Sequence, residues 1–172
     1  MFDDLRRRYV DLAQPRLGSE VVYATDDFFA DKSRLISPEA PVFIAGKYDN
    51  NGKWMDGWES RRKRVPGHDW CVIRLGVPGQ VAGFEIDTAH FKGNYPDSCS
   101  IQAAPDAQGS PEEIAAQAED WPILLPEVKL QADTVHVFHA ELARLGPVKF
   151  IRLNIFPDGG ISRLRVVGTL AR

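Results

Sequence analysis

Apolar and polar residues alternate with a period of two through most of the middle and end of the chain, the pattern of half-buried strands. In Trp70-Cys71-Val72-Ile73-Arg74-Leu75 the set Cys71, Ile73 and Leu75 shares one face. Gly76-Val77-Pro78-Gly79 then predicts a turn. The alternation resumes over residues 81–88, where Ala82, Phe84 and Ile86 oppose Glu85 and Asp87. Residues 99–103 put Cys99, Ile101 and Ala103 on one face, and residues 134–139 read similarly with Val135 and Val137 inward. The clearest pair is residues 149–156 and 161–167, joined by Pro157-Asp158-Gly159-Gly160, which predicts a hairpin-type connection. In the first of these, Ile151, Leu153 and Ile155 leave Arg152 and Asn154 on the other face.

Helical signals are few. Ser110-Pro111-Glu112-Glu113 combines an N-cap serine, a proline at the first helical position and a glutamate at the third, predicting a short helix over residues 111–119. A second is expected over residues 3–12. Many short strands separated by Gly/Pro turns predict an antiparallel β-sandwich, with residues 1–172 forming one domain and no internal repeat.

Composition narrows the function classes. Hydrophobic residues make up 44% and charged residues 26% of the 172-residue chain, the balance of a soluble globular domain. With 21 Lys plus Arg against 24 Asp plus Glu, the net charge of −3 points away from nucleic acid or an anionic membrane as partner. Tyr9, Asp11, Gln14 and Pro15 interrupt any signal-peptide core behind Arg6-Arg7-Arg8. The two cysteines, Cys71 and Cys99, form no Cys-x-x-Cys pair and are expected as buried free thiols of a cytoplasmic protein.

Candidate chemistry concentrates in three segments at strand ends and loops. Residues 46–64 hold Trp54, Asp56, Trp58, Glu59 and the basic run Arg61-Arg62-Lys63-Arg64. Residues 87–96 hold Asp87, His90, Lys92, Asn94 and Tyr95, and the third segment is the Pro157–Gly160 link with Arg152, Asn154, Arg163 and Arg165 nearby. Taken singly each has a bland explanation: the basic run as a solvated edge, the tryptophans as core anchors, His90 as a structural histidine. Together, an acid, a titratable base, a cation and two hydrogen-bonding groups on the 87–96 loop suit a small, polar, anionic ligand. His136 and His139 lie in a strand pattern without nearby acids and read as structural. No metal motif is evident, the cofactor requirement is unknown, and neither a phosphate-binding Gly-rich loop nor a Gly-x-Ser-x-Gly elbow exists.

At these segments the chain resembles the allantoicase family. The likeness runs through Leu17-Gly18, residues 24–29, Gly46-Lys47-Tyr48, residues 52–62, 66–71, 87–96 and 154–164. Its most specific strings are Trp54-Met55-Asp56-Gly57-Trp58-Glu59 and His90-Phe91-Lys92-Gly93-Asn94-Tyr95-Pro96. The resemblance implies a galactose-binding-like jelly-roll sandwich and hydrolysis of allantoate to ureidoglycolate and urea in purine (allantoin) degradation. Family members typically carry two copies of this domain and this chain has one, so the resemblance implies either a single-repeat member or one half of a longer protein; if the chain hydrolyses allantoate, a homo-oligomer is expected. Trp54, Trp58 and Phe91 are candidates for its interface, for the substrate loop or for the core.

Allantoate carries a carboxylate and two ureido groups on one carbon. Urea departs either before water adds or under direct attack by water. Either route needs a positioned proton donor or acceptor. The expected assignment makes His90 the general acid/base, tuned by Asp87. Arg61 or Arg62 holds the carboxylate through a guanidinium fork. Asp56, Glu59 and Asn94 bind the ureido groups, Lys92 adds positive potential and Tyr95 lines the site. The alternatives are a non-catalytic sugar- or ligand-binding module, with Trp54, Trp58 and Tyr95 as stacking platforms, and a structural or regulatory partner.

Overall fold

A computed structural model describes residues 2–171. Helix α1 (Phe2–Arg8) leads into strands β1 (Val10–Asp11) and β2 (Glu20–Ala24). A long connection carries the small strands β3 (Tyr48–Asp49), β4 (Gly52–Lys53) and β5 (Trp58–Glu59). Strands β6 (Asp69–Asp87) and β7 (Ser98–Ala104) follow, then helix α2 (Pro111–Gln117). Strands β8 (Ile123–Lys129), β9 (Val135–Phe138), β10 (Val148–Phe156), β11 (Gly160–Ile161) and β12 (Arg163–Leu170) complete the chain. Helix α2 starts where the sequence says it should: Ser110 Oγ accepts from Glu113 N–H, and the Glu113 side chain returns to the Ser110 N–H.

Every pairing between these strands is antiparallel, and β6 runs through both layers. Its first half lies between β2 and β10, with β7 and β8 beyond β10. Its second half lies between β12 and β9, with β1 beyond β12. The expected turn at residues 76–79 is therefore a bend inside one continuous strand. The glycines there serve close approach: a Cβ on Gly76 would sit 1.8 Å from the Leu17 carbonyl oxygen. Pro78, which has no N–H to donate, still accepts from Ala171 N–H at 2.9 Å.

Three further expectations change. The Pro157–Gly160 link makes no hairpin, because β10 pairs with β6 and β7 whereas β12 pairs with the far half of β6. The link crosses between layers, and β11 pairs with β5 on the way, giving Ile161↔Trp58 and Gly160↔Glu59. Helix α1 stops at Arg8, and Val10 and Asp11 pair with Gly168 and Val167 of β12. On β9 the faces are reversed: Val135 is 48% exposed, while Phe138 packs on the core and His136 Nδ1 lies 2.9 Å from the Ile86 carbonyl.

Between the layers lie Cys71, Ile73, Leu75, Phe84, Ile86, Ile101, Ile151, Leu153 and Leu164, all fully buried. Each such side chain contributes roughly 1.5–3 kcal/mol relative to exposure. Both cysteines are free thiols there. Burial pushes Cys99 up to about 12 and raises Cys71 as well. The outer face of β10 is covered too, because Ile114, Ala118 and Trp121 pack on Val72, Ala104 and Phe150. That is why Arg152 and Asn154 are buried despite occupying the polar phase of the strand. Among the described residues no helix is long and apolar enough to cross a membrane.

Candidate active site

The long connection between β2 and β5, strand β5 itself and the loop leaving β6 converge on a cleft of about 520 Å³. Phe29, Phe43 and Met55 make its apolar walls, and Lys53, Glu59, His90, Lys92 and Asn94 supply its polar groups.

Glu59 is held by its backbone on two sides. It exchanges hydrogen bonds with Ala30 at 3.2 and 3.3 Å and stands opposite Gly160 of β11. The residue is 7% exposed, and its Oε2 accepts from Asn94 Nδ2 at 2.9 Å. Burial pushes its carboxyl above the ordinary range, and the Asn94 amide pulls the other way. Asn94 is fixed in turn, because its carbonyl accepts from Gly160 N–H at 2.8 Å.

The loop after β6 is anchored by Phe91, which is fully buried and lies against Gly160. A Cβ on Gly160 would come within 2.0 Å of the Phe91 ring, so only glycine permits this approach. His90, one residue earlier, adopts a left-handed backbone with φ of 71°. Its N–H donates to Asp133 Oδ1 at 2.7 Å, and its Nε2 lies 3.4 Å from the Pro41 carbonyl. The imidazole stacks against Phe43 with centroids 6.0 Å apart. Lys53 Nζ sits 4.6 Å from the centroid of the same Phe43 ring, and Lys92 is exposed on the loop that carries His90.

Of the residues singled out from sequence, the structure brings Glu59, His90, Lys92 and Asn94 together. It does not bring the others. Asp87 is buried and faces a second cleft, where Arg6, Glu85 and Arg165 are its neighbours; its Oδ1 accepts from Ala89 N–H at 2.8 Å. Asp56 forms a buried ion pair with Arg163 at 2.9 Å, their side chains 10% and 3% exposed, and also accepts from Val42 N–H at 3.0 Å. That pair fixes the stretch ending in Phe43. Arg61 is turned outward onto Asp26, donating through Nε and Nη2 at 3.1 and 2.8 Å, and lies over Phe28. Arg62 is exposed outside the cleft, and Tyr95 packs against the core.

The aromatic platforms of the sugar-module alternative are also engaged elsewhere. Trp58 is fully buried with its Nε1 donating to the Asp26 carbonyl at 2.8 Å, and Trp54 lies under Lys47 and Arg34. Trp58 and Phe91 are thus core residues rather than interface anchors. Among the described residues no group of three or more His, Cys, Asp or Glu side chains is gathered as a metal site requires.

Sequence reasoning missed Lys53, Phe29, Phe43, Met55 and Asp133. Lys53 and Met55 lay inside the flagged 46–64 segment, but nothing local distinguished them from Lys47 or Trp54. Phe43 reaches the cleft from a remote loop, Asp133 bonds the His90 backbone from behind it, and neither carried a signal of its own.

A family model described as the allantoicase repeat matches residues 10–171, which include every residue of the cleft. The chain belongs to the allantoicase family. A probable allantoicase of Burkholderia mallei is 50% identical over 165 residues, 96% of this chain and 47% of that protein. One from Photobacterium profundum is 50% identical over 94% of this chain and 47% of its own length. The chain thus spans about half the length of the curated allantoicases it matches. The crystal structure of allantoicase from Saccharomyces cerevisiae aligns with a TM-score of 0.79 at 33% identity, over 94% of this chain and 48% of that one. A CBM32 module of a Clostridium perfringens glycoside hydrolase aligns at 0.61 with 12% identity over 96% of this chain and 98% of the module, which shows the galactose-binding-like sandwich fold alone.

Proposed function

We propose that this allantoicase repeat hydrolyses allantoate to ureidoglycolate and urea in the Glu59–His90 cleft, as a step of allantoin degradation. The observation that carries the reading is a buried carboxyl, held by an amide, opening into the same cleft as a half-buried imidazole and two lysines. Bond by bond, the C–N bond to one ureido group breaks and a C–O bond from water forms at the same carbon. Whether water adds before or after urea leaves, the departing nitrogen must gain one proton and the water must lose one. Glu59, whose burial favours the protonated form, supplies the first; His90 accepts the second; exchange with solvent resets both. Lys53 and Lys92 replace Arg61 and Arg62 as partners of the substrate carboxylate, acting as point charges rather than as forks. Asn94 keeps Glu59 aimed at the cleft and leaves its carboxamide edge near the ureido groups.

The repeat acts as a homo-oligomer in this reading. The exposed apolar stretch Val42, Phe43, Ile44 at the cleft mouth, with Tyr48 nearby in the chain, supports a second copy docking there. Two buried free thiols agree with a reducing, cytoplasmic setting. The test is urea release from allantoate by the purified chain, with light scattering on the same sample. His90→Ala is expected to lower turnover by about 10²–10⁴-fold and to leave the melting temperature near that of the parent. Parental turnover in that variant removes His90 from the mechanism, and a fully active monomer removes the oligomer.

A further inference from the structure

Across the sheet edge from His90, the turn before β9 holds a residue that touches no substrate position yet controls the histidine's backbone. We infer that Asp133 is a positioning residue for His90; the inference rests on the reading of this cleft as catalytic. The two residues are 43 apart in sequence. The Asp133 carboxylate accepts the His90 N–H at 2.7 Å, and the Asp133 N–H donates to the Phe91 carbonyl at 3.1 Å. Both partners occupy the left-handed region, His90 at φ 71° and Asp133 at φ 50°; among the described residues no other non-glycine residue has positive φ. Such backbone persists where surrounding contacts over-determine it, and it recurs where side chains must be aimed.

Neighbouring bonds tie the same two segments together. Thr88 Oγ1 donates to the Gln131 carbonyl at 2.6 Å and accepts from Thr134 N–H at 3.0 Å, and Thr88 N–H donates to the Thr134 carbonyl at 3.0 Å. These bonds dock the loop as a whole. Among the described residues only the Asp133 carboxylate reaches the His90 amide, and a left-handed residue turns that amide away from any strand ladder. The carboxylate therefore selects the one backbone state that places the imidazole between Phe43 and the Pro41 carbonyl. Asparagine keeps both the acceptor oxygen and tolerance of left-handed backbone; glycine keeps the tolerance alone.

The test compares Asp133→Asn with Asp133→Gly. Asp133→Gly is expected to lower kcat about 10- to 100-fold with KM within about three-fold of the parent, while Asp133→Asn stays within about three-fold in both. A structural readout runs beside them: hydrogen exchange at the His90 amide should accelerate at least about ten-fold in Asp133→Gly and little in Asp133→Asn. Parental kcat in Asp133→Gly, or equal loss in both variants, overturns the inference. His90→Ala separates the two levels. If His90→Ala turns over normally, the reading of the cleft has failed. If it is inactive while Asp133→Gly retains parental kcat and amide protection, this inference alone has failed.

Discussion

Replacing Glu59 by glutamine should inactivate the protein and stabilise it at the same time. The residue is 7% exposed, and burial raises its carboxyl above the ordinary carboxylate value. The sign follows from linkage: with the folded-state value above the unfolded one, the folded protein binds more protons between them. Stability therefore falls as pH rises through that window, starting from the ordinary glutamate value of 4.5, and stays low above it. Each pH unit of elevation corresponds to about 1.4 kcal/mol of lost stability at neutral pH. Glutamine has nearly the same shape, keeps an oxygen for Asn94 Nδ2 and carries no charge to desolvate. Denaturant melts of parent and Glu59→Gln should accordingly diverge as pH rises from about 4 to 8, with the variant the more stable at pH 8. Urea release by the variant should drop by about 10²–10⁴-fold, because the amide cannot give up a proton. Parallel stability curves would show that Glu59 is not desolvated in the folded state, and parental turnover would show that it is not the proton donor.

Two further outcomes follow from the placement of charge. Asp56→Ala leaves Arg163 buried without its counter-ion and should cost about 3–5 kcal/mol in chemical denaturation; Arg163 keeps bonds to the Glu39 and Arg34 carbonyls, which favours the lower end. Lys53→Ala and Lys92→Ala should each raise KM for allantoate about ten-fold, whereas Arg61→Ala and Arg62→Ala should change it less than about two-fold; steady-state kinetics at two salt concentrations separates the pairs.

The alternation of apolar residues was enough to establish an antiparallel sandwich, because a strand with one buried face imposes a period of two on whatever sequence forms it. The cap of α2 was equally local, since Ser110 and Glu113 satisfy each other within one turn. The loop of residues 87–96 could be found as chemistry because four kinds of polar group stand side by side there. What the chain alone did not decide is which polar groups meet. Asp87 is three residues from His90, yet strand geometry sends its carboxylate to a different cleft. Arg61 is two residues from Glu59, yet Asp26 holds it outward. Conversely, Lys53 and Phe43 join the cleft from separate segments, and Asp133 reaches the His90 amide from a third. The role proposed for Glu59, proton donor rather than substrate contact, rests on its burial beside β11 and the Ala30 bridge. Even the continuity of β6 was a tertiary outcome: Gly76 and Pro78 look like a turn until the segment at Leu12–Leu17 is packed against them. Local periodicity records which side of an element is buried. Convergence of loops, and the desolvation that sets a carboxyl's proton affinity, exist only once distant segments are brought into contact.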